Sequence, residues 1–199
     1  MKLIDYLHNH YISKRRIIQL CKHIQHYLPL TGTILDVGCG DGAITRSLAD
    51  ISPGCRFEGI DVLLRLETNI SVKIFDGANI PYDDNSFDAI LFIDVLHHIQ
   101  NPVPILKEAK RVTRKTVIIK DHVLHGFLAE KLLRYMDDVG NLRYDIVLPY
   151  NYFTMVEWHN TFKDVGLDCK VWQERLDLYP WFINWIFGRS LHFVSKLEK

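Results

Sequence analysis

The sequence has 199 residues, of which 48% are hydrophobic, and this length and composition support a single hydrophobic core. Lysine plus arginine equals aspartate plus glutamate, at 24 each, so no charge excess favours nucleic acid or an anionic membrane as a partner. The four cysteines have no CxxC spacing, which is typical of reduced thiols and predicts a cytoplasmic protein. The first residues lack the apolar stretch of a signal peptide, and no apolar run is long enough to span a bilayer.

Helices and short apolar strands alternate along the predicted chain. Apolar residues from Ile17 to Leu28 recur on one face of a helix that ends at Pro29. Strands are predicted at residues 33–37, 56–60, 72–75, 89–94 and 116–120, and helices at 43–50 and 104–112. Several strands are apolar throughout, as expected for parallel strands that are covered on both faces. The alternation predicts an α/β fold with a Rossmann-like, doubly wound sheet.

The last third of the chain is predicted to complete the sheet. Thr154 and Glu157 fit a capping box that opens a helix through Val165, with Gly166 as its stop. Strand-like runs follow at residues 169–178 and 190–195. The apolar run WFINWIF at 181–187 is expected to be buried between these two strands.

Residues 34–42 read ILDVGCGDG, an apolar strand followed by three alternating glycines. Such a loop before a helix lets a ligand approach the bare backbone and the free N–H groups of the helix. A nicotinamide dinucleotide and S-adenosylmethionine (SAM) both suit this geometry. Asp36, two residues before Gly38, favours SAM, because a carboxylate pairs with the methionyl ammonium and repels a pyrophosphate.

Two further acids follow the next strands. Asp61 would accept both ribose hydroxyls in the site of either cofactor. Asp76 is placed to accept a hydrogen bond from the adenine amine, and the small residues Gly77 and Ala78 let the ring pass.

The segments ILDVGCGDG, GID, IFDGANIPY, SFDAILFIDVLHHI and ILKEAKRVTRKTVIIKDH together resemble class I SAM-dependent methyltransferases, in particular the ubiquinone and menaquinone biosynthesis enzymes. The resemblance covers about residues 31–122. It implies a seven-stranded sheet with an antiparallel last strand, plus N-terminal helices and a helical insertion after strand 5. It also implies that SAM is converted to S-adenosylhomocysteine (SAH). The implied cofactor-binding residues are Asp36, Gly38, Cys39, Gly40, Asp61, Val62, Asp76, Gly77, Ala78 and Asp94.

The chain is predicted to be one domain, residues 1–199, with four parts. Residues 1–30 form a helical cap, 31–121 the cofactor-binding core, 122–153 a lid or substrate insertion, and 154–199 the C-terminal helix and strands. In the cap, the run from Lys14 to Arg16 could steer an anionic group, although it is more typical of a solvated helix end.

Methyl transfer to oxygen requires a base or an ionised nucleophile. The candidates are His97, His98, Asp121, His122 and His125, of which His98, His97 and His122 are the predicted catalytic residues. Adjacent His97 and His98 are expected to project in different directions, and the resemblance favours His98. The alternative is a histidine that caps the strand end or packs beneath a helix. Asp94 and Asp121 resemble the magnesium arrangement of catechol-type enzymes, but His122 stands where that group has an amide.

His122 and His125 could suggest zinc, but they lack a third ligand, and we therefore predict no metal. The predicted function is SAM-dependent methyl transfer to a small, fairly apolar molecule, and the candidate histidines favour oxygen over carbon or nitrogen as the atom that is methylated. Nucleic-acid substrates and stable membrane insertion are not expected, and the protein would be a monomer or homodimer. The alternatives are an NAD-dependent oxidoreductase and a non-catalytic SAM-binding module.

Overall fold

The computed structural model describes residues 2–141, 149–181, 184–185 and 190–199, with side chains from residue 13 onward except those of 139–141. The helices are α1 (Lys2–Gln25), α2 (Ala43–Ile51), α3 (Val103–Val112), α4 (Ala129–Asn141) and α5 (Met155–Val165). The strands are β1 (Gly32–Val37), β2 (Cys55–Asp61), β3 (Val72–Ile74), β4 (Phe87–Ile93), β5 (Thr113–His122), β6 (Asp168–Glu174) and β7 (His192–Glu198). A 3₁₀ turn, Leu96–His98, follows β4.

The seven strands form one sheet in the order β3-β2-β1-β4-β5-β7-β6. β1 pairs in parallel with β2 and β4, β2 with β3, and β4 with β5. β7 is antiparallel to both of its neighbours, β5 and β6. The predicted doubly wound sheet with an antiparallel last strand is therefore confirmed.

Apolar side chains cover both faces of the central strands. Alternate residues such as Leu35 and Phe92 face a core shared with α3 and α5, which includes Trp158. Their neighbours Ile34 and Leu91 face a second core shared with α1 and α2. This arrangement explains why the strands are apolar throughout instead of alternating.

The predicted capping box is present at the start of α5. The Thr154 side chain accepts the Glu157 backbone N–H, and the Glu157 carboxylate accepts the Thr154 backbone N–H. Gly166 ends the helix with a φ of 73°. The expected burial of the WFINWIF run is wrong for its described tryptophans, since Trp181 and Trp185 are 84% and 77% exposed. Residues 182–183 and 186–187 of that run lie outside the described residues.

The long segment after β5 contains a helix, α4, as the resemblance implied for an insertion. Its following residues 142–148 lie outside the described part. Over the ranges that the structure describes, none of the helices has the length and hydropathy needed to cross a membrane.

Candidate active site

The C-terminal ends of the parallel strands meet along one edge of the sheet. Because β7 runs in the opposite direction, its first residue, His192, pairs with His122 at the end of β5. We call the ends of β1, β2 and β3 the cofactor half of this edge. The ends of β4, β5 and β7 form its polar half.

The glycine loop after β1 places bare backbone in the cofactor half. Gly38 has a φ of 77°, and a Cβ built there would lie 2.6 Å from a methyl carbon of Val95. Gly40 has a φ of 61°, and a Cβ there would meet no described atom within 4 Å. The loop therefore packs against residue 95, next to the polar half, while Gly40 faces open space.

Asp36 is buried just before this loop, with 2% of its surface exposed. Its Oδ2 accepts a hydrogen bond from the Thr45 hydroxyl at 2.6 Å. Its Oδ1 is buried and has no hydrogen-bond partner within the described part of the chain. Burial raises the pKa of Asp36 to about 7. The half-buried Cys39 packs against β2, since a Cβ on Gly59 would lie 2.7 Å from its sulfur.

Asp61 at the end of β2 organises the loop through its two carboxylate oxygens. One oxygen accepts the backbone N–H of Gly40 at 2.8 Å, and the other accepts that of Leu63 at 2.9 Å. Each oxygen retains a lone pair that a ribose hydroxyl can use.

The loops after β2 and β3 meet at Val62 and Gly77. A Cβ on Gly77 would lie 3.0 Å from a Val62 methyl carbon, and the φ of Gly77 is 80°. Val62 is 61% exposed. The exposed Asp76 accepts the side-chain amide of Asn79 at 2.7 Å and the backbone N–H groups of Asn79 at 2.6 Å and Ala78 at 2.8 Å, and these bonds lower its pKa. The sequence-predicted adenine residues thus lie together, on an open surface.

Asp94 holds two cations in the polar half. One of its oxygens pairs with Arg16 of α1, and the other pairs with Lys120 of β5. Lys120 is fully buried. Burial alone would raise the pKa of Asp94, but the two cations hold it well below its usual range. The expectation of a merely solvated run at 14–16 is wrong for Arg16.

His97 is buried between two carboxylates. Its Nδ1 lies 2.6 Å from Asp121 Oδ1, and its Nε2 lies 3.6 Å from Asp137 Oδ2 on α4. Asp137 also accepts the Tyr152 hydroxyl at 2.5 Å. Burial opposes protonation of His97, but the Asp121 carboxylate overcomes this effect and raises its pKa.

The His97 and His98 rings are in contact, with centroids 3.9 Å apart and planes tilted by 48°. The expectation that they project apart is wrong, because these residues form a 3₁₀ turn and not an extended strand. His98 is half-buried, and its burial together with nearby His97 lowers its pKa to about 4. It is therefore neutral at physiological pH.

His122 is 6% exposed and lies between the rings of His97 and His192, at centroid distances of 4.5 and 4.9 Å. Its Nδ1 is buried without a hydrogen-bond partner among the residues described. Burial, His97 and Lys120 hold its pKa well below the usual value. His125 is exposed and stands apart from this group.

Four residues of the polar half were missed by sequence reasoning: Lys120, Asp137, Tyr152 and His192. Lys120 carried a usable signal, because a lysine inside the apolar run TVIIK must be paired if it is buried. The other three carry no local signal. The packing of α4 brings Asp137 to the strand edge, the segment before α5 brings Tyr152 to Asp137, and β7 brings His192.

The residues of the cofactor half fit SAM. Asp36 has a buried oxygen without a described partner, and Gly40 leaves space that any side chain would fill. A pyrophosphate would meet the carboxylates of Asp36 and Asp61 at the same loop, which is electrostatically unfavourable. When bound, SAM would supply the activated methyl group.

Residues 35–119 match a family model described as "Methyltransferase domain". This part of the chain is therefore similar to a methyltransferase domain. The match runs from β1 into β5, so it includes the glycine loop, Asp94, His97 and His98, and it ends before Lys120.

The chain is similar to curated relatives whose names give different acceptors. It is 26% identical over 157 residues to a ubiquinone biosynthesis O-methyltransferase of Colwellia psychrerythraea, covering 68% of this chain and 61% of that protein. It is 25% identical over 119 residues to human probable tRNA methyltransferase 9B, covering 59% of this chain and 25% of that protein. This chain thus spans less than two thirds of the length of either relative.

A solved structure from Thermotoga maritima, titled SAM-dependent methyltransferase, possible histamine N-methyltransferase, has the same fold. The TM-score is 0.69 at 18% identity, covering 99% of this chain and 96% of that one. This likeness confirms the predicted class I methyltransferase fold. The family match supports, for residues 35–119, the predictions of a methyltransferase and of SAM as its cofactor.

Proposed function

We propose that this chain transfers the methyl group of SAM to an oxygen atom of a small, fairly apolar molecule and releases SAH. The observation that carries the proposal is the packing of Gly38 against Val95, which sets the open glycine loop beside Asp94 and the buried histidines. Cofactor and acceptor would then meet at one strand edge. Such proximity supplies much of the rate enhancement in a displacement at a sulfonium carbon.

In this proposal, Asp36, Gly38, Cys39 and Gly40 surround the methionyl end of SAM. Asp61 and Val62 hold the ribose and the adenine edge. Asp76, Gly77 and Ala78 contact the adenine, and Asp94 lies near the sulfonium. The orphaned Asp36 oxygen, the free side of Gly40 and the contact of Val62 with Gly77 support these roles.

His98 is the proposed base. Its low pKa, about 4, means that the neutral ring is available to accept the proton of an acceptor hydroxyl. His97 and His122 are assigned to the surrounding site, because both are buried and His97 is held by Asp121 and Asp137.

A cavity of about 550 Å³ beside the start of β7 supports a small-molecule acceptor. Its walls combine the apolar Phe127 and Leu132, and Leu191 before His192, with the charged Arg175 and Asp177. Volumes of about 300–1,000 Å³ are typical of small-molecule sites.

A nucleic-acid acceptor is the second candidate, since one of the relatives is a probable tRNA methyltransferase. The balanced charge of the chain favours the small molecule, because phosphate backbones are bound by basic surfaces. The cytoplasmic location, the monomeric or dimeric state and the four-part organisation of residues 1–199 stay predictions.

Calorimetric titration with SAH and then with NAD tests the proposal. We expect SAH alone to bind, and Asp61→Ala to weaken binding because it removes the carboxylate that holds Gly40. Asp168→Ala, an exposed carboxylate on β6, is the matched control and should bind SAH as the wild type does. Preferential binding of NAD would overturn the proposal.

Phenols, quinols, fatty acids and tRNA are then offered as acceptors with labelled SAM. Label transfer to a hydroxyl-bearing small molecule supports the proposal. Label transfer to tRNA alone would show that the acceptor is a nucleic acid and not a small molecule. SAH binding without transfer to any acceptor, and without an effect of His98→Ala, would favour a non-catalytic SAM-binding module.

A further inference from the structure

Three elements bring metal-ligating side chains together in the polar half. His97 comes from the 3₁₀ turn, Asp121 and His122 from the end of β5, and Asp137 from α4. We call these four residues the histidine cluster. His97, Asp121 and His122 offer ligand atoms that all lie within 4.8 Å of one another, and all three residues are buried.

The strongest sign of a ligand is the Nδ1 atom of His122. It is buried and lacks a hydrogen-bond partner in the described part of the chain, although it lies 3.8 Å from Asp121 Oδ1 and 4.0 Å from Asp137 Oδ1. These distances are too long for hydrogen bonds. Ligand atoms that each lie about 2.1 Å from a tetrahedral metal are about 3.4 Å apart, so the observed spacing needs only a small contraction around an ion.

The two carboxylates of the cluster have different surroundings. Asp121 already accepts the His97 ring at 2.6 Å, the His122 backbone N–H at 2.7 Å and the Leu96 backbone N–H at 2.9 Å. Asp137 accepts the Tyr152 hydroxyl through Oδ2, and it faces the Nε2 of His97 and the Nδ1 of His122. Asp137 is thus the better third ligand, and Asp121 orients His97, as carboxylates commonly orient metal-bound histidines.

The charges of the polar half leave room for a cation. The carboxylates of Asp94, Asp121 and Asp137 outnumber the cations of Arg16 and Lys120, which both pair with Asp94. Metal ligation requires neutral imidazoles, and with His97 and His122 both neutral one negative charge remains in the polar half. The pairing also occupies both oxygens of Asp94, so the catechol-type magnesium arrangement through Asp94 does not suit this chain.

We infer that His97, His122 and Asp137 bind a divalent transition-metal ion, with Asp121 holding the His97 ring. Two imidazoles and one carboxylate suit zinc or iron(II) and do not suit magnesium, which prefers oxygen ligands. Three protein ligands leave a coordination position open. On the proposed function, this position would take the acceptor oxygen and lower its pKa, so that a weak base such as His98 suffices.

The test uses the full chain after treatment with a chelator, titrated with Zn²⁺ by calorimetry and with Co²⁺ by visible absorption. We expect one ion per chain and a Co²⁺ spectrum of a nitrogen-bearing site. His122→Ala should abolish binding, and Asp121→Asn should weaken it about 10- to 100-fold, as expected for loss of an orienting carboxylate. His125→Ala is the control, since an exposed histidine outside the cluster should not change the affinity.

Each variant is also titrated with SAH, and its thermal unfolding is followed by circular dichroism. If His122→Ala does not fold, Asp137→Asn carries the test, because it keeps the volume of the side chain. Absence of Zn²⁺ and Co²⁺ binding to the wild type, or equal binding to folded His122→Ala and Asp137→Asn, would overturn the inference. SAH binding without metal binding would contradict the metal site alone. Metal binding without SAH binding would contradict the proposed function alone.

Discussion

Arg16 of α1 and Asp94 after β4 form an ion pair across 78 positions of sequence. Asp94 also pairs with Lys120, a fully buried lysine at the end of β5. One carboxylate therefore joins the N-terminal helix to the two central strands at the edge where the cofactor and polar halves meet. Neither cation lies beside Asp94 in the sequence, so this connection depends on the assembled fold.

Asp94→Asn should destabilise the protein by about 3–5 kcal/mol, because it leaves the buried Lys120 without its counter-charge. Urea unfolding at neutral pH measures the change. Asp50→Asn is the matched control, since Asp50 pairs with Arg46 in an exposed contact on α2, and such pairs contribute about 0–1 kcal/mol. Equal losses in the two variants would contradict a structural role for the Asp94 pairing.

Gly40→Ala should greatly weaken SAH binding at a small cost in stability. The left-handed conformation of Gly40 costs a non-glycine residue about 1–2 kcal/mol, and the new methyl group would enter the open side of the loop. Gly126→Ala is a matched control, because Gly126 also has a positive φ, 82°, with no described atom near its Cβ position. Both variants should lose similar stability, and only Gly40→Ala should lose affinity for SAH. Equal SAH affinity in the two would contradict a cofactor at this loop.

SAH affinity should rise with pH around neutrality. Burial raises the pKa of Asp36 to about 7, above its usual value. The unliganded fold therefore favours the protonated acid, and the contribution of this group to folding stability is lost as the pH rises through 7. The ammonium group of SAH instead favours the ionised acid. Affinity should therefore increase about tenfold from pH 6 to pH 8, as the ionised fraction does. Calorimetry at several pH values measures this slope, and Asp36→Asn should remove it. A slope that persists in the variant would assign it to another group.

His98→Ala should lower kcat about 100- to 10,000-fold with an accepted hydroxyl substrate, while SAH affinity stays unchanged. Because the pKa of His98 is about 4, the ring is already neutral above that pH. Protonation of His98 should therefore lower the reaction rate near pH 4 and not near pH 6.5, where an unperturbed histidine titrates. His159→Ala on α5 is the control and should keep the wild-type rate. A normal rate in His98→Ala would remove this histidine from the reaction.

Several elements could be predicted because their signals are local. The capping box at Thr154 and Glu157, the glycine stop at Gly166 and the strand–loop–helix at residues 34–42 each depend on residues a few positions apart. Several strands are apolar throughout, and this pattern correctly indicated that they are buried on both faces. The expected burial of the apolar run at 181–187 was wrong for Trp181 and Trp185, which are exposed. Apolar composition alone does not decide which side chains are covered by the rest of the fold.

The sequence by itself determined the order of the strands and helices, the glycine loop and the acids at or near the ends of β1, β2 and β3, because backbone preference and periodicity act over short distances. Only the tertiary structure decided which distant side chains meet. Asp137 reaches His97 through the packing of α4, and His192 reaches His122 because β7 runs antiparallel to β5. Buried charges must find partners wherever the fold places them, so the polar half exists only once the sheet and its helices have assembled.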